Sequence, residues 1–246
     1  MTDADTTASS ENKEQNSKPE TSKEDFKFEI LAEDYTNFDL SFKLIVIGDS
    51  GVGKSCLTNN AVKNIFDDSY NATVGFEFFT FNVKINDKVI KLQIWDTCGQ
   101  ELYRSLITNF YRNSSLAIMV YAINSKESFK NIDMWLRELR MHSNPDAKVF
   151  LIGNKIDLEA ERQVSKEEGE QFCKDNKINL FLESSAKTGV NAQNIFIQAA
   201  KVLYSDYMNY EKQVATGELP QDAKAPNQNL KEKRIDNKPR KKQGCC

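Results

Sequence analysis

The segment that most limits what this chain can become is Gly48-Asp49-Ser50-Gly51-Val52-Gly53-Lys54-Ser55. It fits G-x-x-x-x-G-K-[ST] and falls between an apolar run at 42–47 and a helix-period stretch at about 54–64. Glycines let backbone N–H groups turn inward around phosphates, and the following helix adds partial positive charge at its N-terminus. Lys54 is then placed to reach β- and γ-phosphates, with the Ser55 hydroxyl as a magnesium ligand. Taken alone, the segment establishes phosphate and magnesium binding and no more.

Downstream, apolar runs alternate with helix-period stretches, the pattern of an α/β domain. Strands are predicted at 42–47, 77–85, 89–95, 116–122, 148–154 and 179–183. Asn86-Asp87 sits between the second and third of these, as in a hairpin, so one strand runs antiparallel in an otherwise parallel sheet. Helices are predicted at about 54–64, 126–141, 165–175 and 191–207, the last presenting Ile195, Ala199, Val202 and Leu203 on one face. Six strands with crossover helices make a three-layer, doubly wound sandwich.

Composition enters through its unevenness. Four of the five prolines, Pro19, Pro220, Pro226 and Pro239, lie outside the apolar middle of the chain. Residues 1–40 carry eleven acids against four lysines, and residues 211–246 carry nine basic residues against five acids. The formal net charge of −3 therefore leaves the middle neutral, which argues against a nucleic-acid surface there. The expected organisation is an acidic, disordered extension at 1–40, one folded domain at 41–210, and a disordered basic tail at 211–246. The first twenty residues lack the apolar core of a signal peptide, and no run of roughly 18 apolar residues is present to span a membrane. Cys56, Cys98 and Cys173 show neither metal-type nor disulfide spacing, which fits a reducing compartment.

Three further loops carry chemistry. Trp95-Asp96-Thr97-Cys98-Gly99-Gln100 ends a buried strand. Asp96 is placed to hold magnesium across from the phosphate loop, Gly99 to bring its N–H to a γ-phosphate, and neutral Gln100 to orient an attacking water. Asn154-Lys155-Ile156-Asp157 follows another strand. Its Asp157 carboxylate matches the N1–H and N2–H₂ of guanine, which adenine lacks; Asn154 touches the base edge, and the Lys155 stem covers its plane. Ser184-Ser185-Ala186-Lys187 follows the last strand and offers the Ala186 N–H to guanine O6. An ATP-using phosphate-loop enzyme is the rival reading, and Asn154 to Asp157 argues against it.

These four segments, in this order and spacing, resemble the Ras superfamily of small GTPases over about residues 41–207. The resemblance implies ligands at the carboxyl ends of the strands. It further implies that Thr73, in Tyr70-Asn71-Ala72-Thr73-Val74-Gly75, is the switch I threonine that closes on magnesium and the γ-phosphate. Phe66 matches the aromatic packed against guanine, and Cys56, Tyr70, Ser185 and Lys187 complete the implied nucleotide site. Ser55, Thr73 and Asp96 would hold the metal; Gln100, Lys54 and Thr73 would act in hydrolysis.

Within the superfamily the chain is most similar to Rab GTPases, through Val74-Gly75-Phe76-Glu77-Phe78, Lys91-Leu92-Gln93-Ile94-Trp95-Asp96 and Phe110-Tyr111-Arg112. Phe78, Trp95 and Phe110 fall on that family's aromatic effector triad, and ordinary core packing explains them equally well. Two departures stand in switch II: Cys98 replaces the usual alanine and Leu102 a common arginine. Cys98 opens the alternative of a GTP-binding switch with little hydrolysis. Residues 231–242 hold seven basic residues and two acids before Gln243-Gly244-Cys245-Cys246, which resembles a double geranylgeranylation signal. Two lipid chains anchor stably where one does not, and basic residues add about 1 kcal/mol each near an anionic leaflet.

The resemblance thus implies a switch that binds GTP or GDP with Mg²⁺ and turns over slowly for want of an arginine in cis. A GTPase-activating protein would add ~10³–10⁵-fold. Expected partners are an exchange factor, effectors on the switches, a GDP-dissociation inhibitor, a Rab escort protein and geranylgeranyl transferase, with no nucleic acid. The expected location is the cytoplasmic face of an intracellular membrane, in exchange with the cytosol.

Overall fold

The computed structural model describes residues 26–67, 73, 75–99 and 110–220. Among the described residues seven strands form one sheet: β1 Phe28–Leu31, β2 Leu40–Ile47, β3 Phe76–Ile85, β4 Lys88–Thr97, β5 Leu116–Ala122, β6 Lys148–Asn154 and β7 Leu180–Glu183. Their spatial order is β1-β3-β4-β2-β5-β6-β7. β2 lies parallel to both β4 and β5, and β6 and β7 continue the parallel array. β3 runs against both neighbours, so it is the single antiparallel strand expected from the hairpin.

Why the central strands read as unbroken apolar runs is plain from their two faces. Leu44, Val46, Ile118, Val120 and Ile152 enter one core, and Ile45, Ile47, Ala117, Met119 and Leu151 enter the other. A sheet covered on both sides buries every position, so alternation disappears from the sequence. Helices α1 Lys54–Lys63 and α5 Ala192–Ala215 contribute Leu57, Ala61, Ile195, Ala199 and Leu203 to the first core. Helices α2 Lys126–Lys130, α3 Ile132–His142 and α4 Lys166–Asp175 flank the second, to which α3 brings Trp135, Leu136 and Leu139.

Three expectations need correction. The sheet has seven strands rather than six, because part of the acidic extension expected to be disordered is folded. Phe28–Leu31 pairs with Ile85 to Asn82, and Phe26 packs edge-on against Tyr204 at 5.5 Å. Asn82, 1% exposed, fastens the turn after β1 by donating to the carbonyls of Ala32 and Glu33 at 2.8 and 3.0 Å. The surrounding acids hid a short alternation of Phe26, Phe28 and Ile30. The single helix expected at 126–141 is two, divided at Asn131. The last helix continues to Ala215, past the expected domain limit at 210.

The strand order places β2 between β4 and β5, so the chain leaves β2 for one side of the sheet and returns on the other. A crevice therefore opens at the carboxyl ends of the strands. Among the described residues no helix is long and apolar enough to cross a membrane.

Candidate functional site

The loop at 48–55 joins β2 to α1 at that crevice. Gly53 caps α1 with φ 94°, a left-handed conformation that disfavours residues with a Cβ, and no side chain caps the helix. The first-turn N–H groups of α1 are left for a ligand by this arrangement. A Cβ on Gly53 would also lie 2.5 Å from Asn154 Nδ2, so the loop presses against the far motif. Lys54 is 5% exposed, and its ammonium donates to the carbonyls of Gly48 at 2.9 Å and Asp49 at 2.7 Å. Burial lowers its pKa, opposed by the charges of Asp96 and Asp49. It is a desolvated cation held on two loop carbonyls, ready for a stronger acceptor.

Beside it, three oxygen-bearing side chains from separate elements converge. Ser55 donates its hydroxyl to Asp96 Oδ2 and lies 2.6 Å from the Thr73 hydroxyl. Asp96 is fully buried at the end of β4, and its Oδ1 has no hydrogen-bond partner. Burial pushes its pKa up to about 7, against the Ser55 hydrogen bond and Lys54, which lower it. A buried carboxylate oxygen without a partner, next to two hydroxyls, is a hard-oxygen set that fits Mg²⁺. The trio named from sequence is thus assembled in space.

Gly99 explains why this motif needs a glycine: a Cβ there would lie 2.3 Å from the carbonyl carbon of Asp49 and 2.4 Å from Ser50 N. The backbone after β4 therefore rests directly on the phosphate loop. The Cys98 N–H donates to Gly75 O at 3.0 Å, joining the end of the Thr73 segment to the start of the Gly99 loop. The Cys98 side chain is 1% exposed and belongs to the core beside Ile45 and Ile47. Gln100, Tyr70, Leu102, Cys245 and Cys246 lie outside the described residues.

On the other side of the loop the polar groups are already paired. Asn154, fully buried at the end of β6, donates Nδ2–H to Val52 O at 2.9 Å. Its Oδ1 accepts from the Ser184 hydroxyl at 3.2 Å and the Ala186 N–H at 3.1 Å. The Ala186 N–H, assigned from sequence to the base, is therefore engaged by Asn154; Asn154 itself ties three loops together. Asn60 adds a brace from α1 by donating to Ala186 O at 3.0 Å. Asp157 is exposed, and its Oδ1 accepts from buried Ser185 at 2.6 Å, which orients the carboxylate outward. Lys155 turns the chain here with φ 71°. Between these groups lies a cleft of about 290 Å³ lined by Gly51, Gly53, Cys56, Phe66, Asp67, Asn154, Lys155, Asp157, Leu158, Ala186 and Lys187. Ser185 stands behind the lining as the support of Asp157.

Sequence reasoning missed Asn131 and Trp135, which reach back to the phosphate loop. Asn131 Nδ2 donates to Asp49 Oδ2 at 2.7 Å, and Trp135 Nε1 to Asp49 Oδ1 at 2.8 Å. The available signal was an asparagine and a tryptophan four apart in a helix, which read as ordinary helix content.

The aromatic positions behave as both readings allowed. Trp95 and Phe110 are partly buried with ring centroids 5.1 Å apart, while Phe78 is 48% exposed and 5.2 Å from Trp95. Phe76, 49% exposed, joins them at 5.2 Å from Trp95 and 4.8 Å from Phe110. The Ras family model matches residues 43–205, from within β2 to within α5, a range that includes the loops of this crevice.

Proposed function

The chain belongs to the Ras family, a small GTPase that works as a guanine-nucleotide switch, and on that premise we propose that it is a Rab-like, lipid-anchored regulator of vesicle traffic. One observation carries the catalytic half of this reading. A single glycine loop separates a cleft lined by Asp157 from a group of buried Lys54 and Asp96 with partly buried Ser55 and Thr73.

In this reading Asp157 accepts from the guanine N1–H and N2–H₂, with Ser185 fixing its orientation, and Phe66 and the Lys155 stem cover the base. The loop N–H groups and Lys54 hold the β- and γ-phosphates. Ser55, Thr73 and Asp96 would hold Mg²⁺, which supplies charge neutralisation on the phosphate oxygens. Gln100 orients the water whose oxygen bonds to the γ-phosphorus as the bond to the β-phosphate oxygen breaks. GDP leaves with that electron pair, and the water's proton passes to phosphate. Loss of the γ-phosphate then releases Thr73 and Gly99, an order-to-disorder switch of the two segments. Turnover is slow alone and is raised by a GTPase-activating protein, because no arginine of this chain is assigned to the transition state.

Support for the Rab-like assignment comes from the packed aromatic group of Phe78, Trp95 and Phe110, in which Phe78 is 48% exposed and the other two are partly buried. Effectors read that surface; an exchange factor, a GDP-dissociation inhibitor, an escort protein and a geranylgeranyl transferase serve the cycle. Cys245 and Cys246 carry the lipids, and the basic tail favours an anionic cytoplasmic leaflet. Cys98 lends no support to a switch without hydrolysis, since its side chain lies in the core.

Two measurements test this. Single-turnover GTP hydrolysis should be measurable for the wild type and lost in Gln100→Leu; equal background rates for both would remove the catalytic assignment. Intact-mass spectrometry of the chain from cells should show two geranylgeranyl additions, lost in Cys245→Ser/Cys246→Ser. An unmodified C-terminus would remove the membrane half.

A further inference from the structure

An acidic residue inside a loop that wraps phosphates is electrostatically unfavourable unless its charge is directed elsewhere. Asp49 is such a residue, and the structure directs both of its carboxylate oxygens to α3. Asn131 Nδ2 donates to one at 2.7 Å and Trp135 Nε1 to the other at 2.8 Å. The two donors are four residues apart, and the Trp135 N–H bonds to the Asn131 carbonyl, so they stand one above the other on a single helix face. Trp135 is 1% exposed within the core on that side of the sheet, which makes it a rigid post. The break between α2 and α3 falls at Asn131, where the side chain turns to the loop.

The backbone of Asp49 is the meeting point of the catalytic parts. Its carbonyl oxygen accepts from Lys54 at 2.7 Å, and its carbonyl carbon lies where a Cβ on Gly99 would come within 2.3 Å. Any shift of Asp49 moves the acceptor that aims Lys54 and the surface on which Gly99 rests.

We propose that Asn131 and Trp135 are positioning residues for phosphate binding: through the Asp49 carboxylate they turn its charge away from the nucleotide and set the loop that aims Lys54 and seats Gly99. This rests on the guanine-nucleotide reading above and adds to it a control point on α3, distant in sequence from all four motifs.

The test uses the full chain loaded with fluorescent GDP. Asn131→Asp, which faces carboxylate with carboxylate, and Trp135→Phe, which keeps the ring but removes the N–H, should each raise the GDP dissociation rate about tenfold or more. The double variant Asp49→Asn/Asn131→Asp rebuilds the bond with its polarity reversed and leaves an oxygen for Trp135; it should return the rate toward wild type. Competition with GMP, which reaches the base cleft but has no β-phosphate, separates positioning from general loosening. The single variants should weaken GDP while leaving GMP affinity where it was. Equal losses for GDP and GMP, unchanged GDP release in Trp135→Phe, or a double variant no better than Asn131→Asp would each overturn the proposal. A wild type that fails to bind guanine nucleotide would overturn the function reading and this proposal together, an outcome distinct from wild-type binding with unaffected variants.

Discussion

The two sides of the phosphate loop are built on opposite principles. On the base side, buried Asn154 has partners for both ends of its amide, and Asp157 is oriented by a serine that is itself buried. On the metal side, buried Asp96 keeps an oxygen without a partner, and Lys54 is desolvated on carbonyls it can exchange for better acceptors. Paired polar groups in a low-dielectric interior hold one geometry, whereas unpaired ones raise the energy of the empty site and are relieved by a ligand. The difference teaches that the side proposed for the base is a preformed structural tie, while the side proposed for phosphate and Mg²⁺ keeps a buried carboxylate oxygen without a partner.

Lys54→Met should give the largest effect, on ligand and not on fold. Nucleotide affinity should fall by roughly 10²–10³-fold, the scale of removing one partner from a buried charged contact, with the unfolding midpoint of the nucleotide-free protein unchanged or raised. Titration with fluorescent GDP and thermal unfolding read the two halves of that statement; a loss of fold stability would erase the contrast. Asn154→Ala should do the reverse and lower the unfolding free energy itself by ~2–4 kcal/mol, because buried acceptors and donors in three loops lose their partner. Denaturant unfolding without nucleotide checks it, and an undisturbed midpoint would show that the base side is no tie at all.

Asp157→Asn comes next. Its oxygen can still accept from Ser185, so the fold should hold, but the guanine donors lose an acceptor; GDP should weaken by about 30–100-fold while xanthosine diphosphate gains. Competition binding with the two diphosphates decides it. Asp96→Asn should be smallest when read as stability without ligand. Removing a buried charge that lacks a full set of partners is expected to shift unfolding by no more than ~1 kcal/mol, in the stabilising direction if at all. A loss as large as that of Asn154→Ala would place the two sides on the same footing.

How far the site was legible depended on how local each requirement is. Loops 48–55, 95–100, 154–157 and 184–187 each place chemistry through contiguous residues at the end of a strand, and the structure gathers their described residues around one crevice. β1 escaped because four residues of alternation carry little signal inside an acidic stretch, and because its partner strand begins 48 positions later, at Phe76. The division of the helix at Asn131 escaped because nothing in its local propensity demands a break, and the Asn131 hydrogen bond to Asp49 joins residues 82 positions apart.

The chain's order of strand, loop and helix, the residue types at each strand end, and membership of a phosphate-binding architecture were determined by the sequence itself. Each of these is a property of a short window, where backbone geometry and side-chain chemistry act within one turn. Tertiary structure alone decided which polar groups would be satisfied and which left waiting. Asn154 reaches a carbonyl 102 positions away, Asp49 meets donors 82 and 86 positions away, and Ser55 meets Asp96 across 41. Those pairings exist only once the sheet has brought its strand ends together, because hydrogen bonds act over a few ångströms of space and carry no trace in the sequence between their partners.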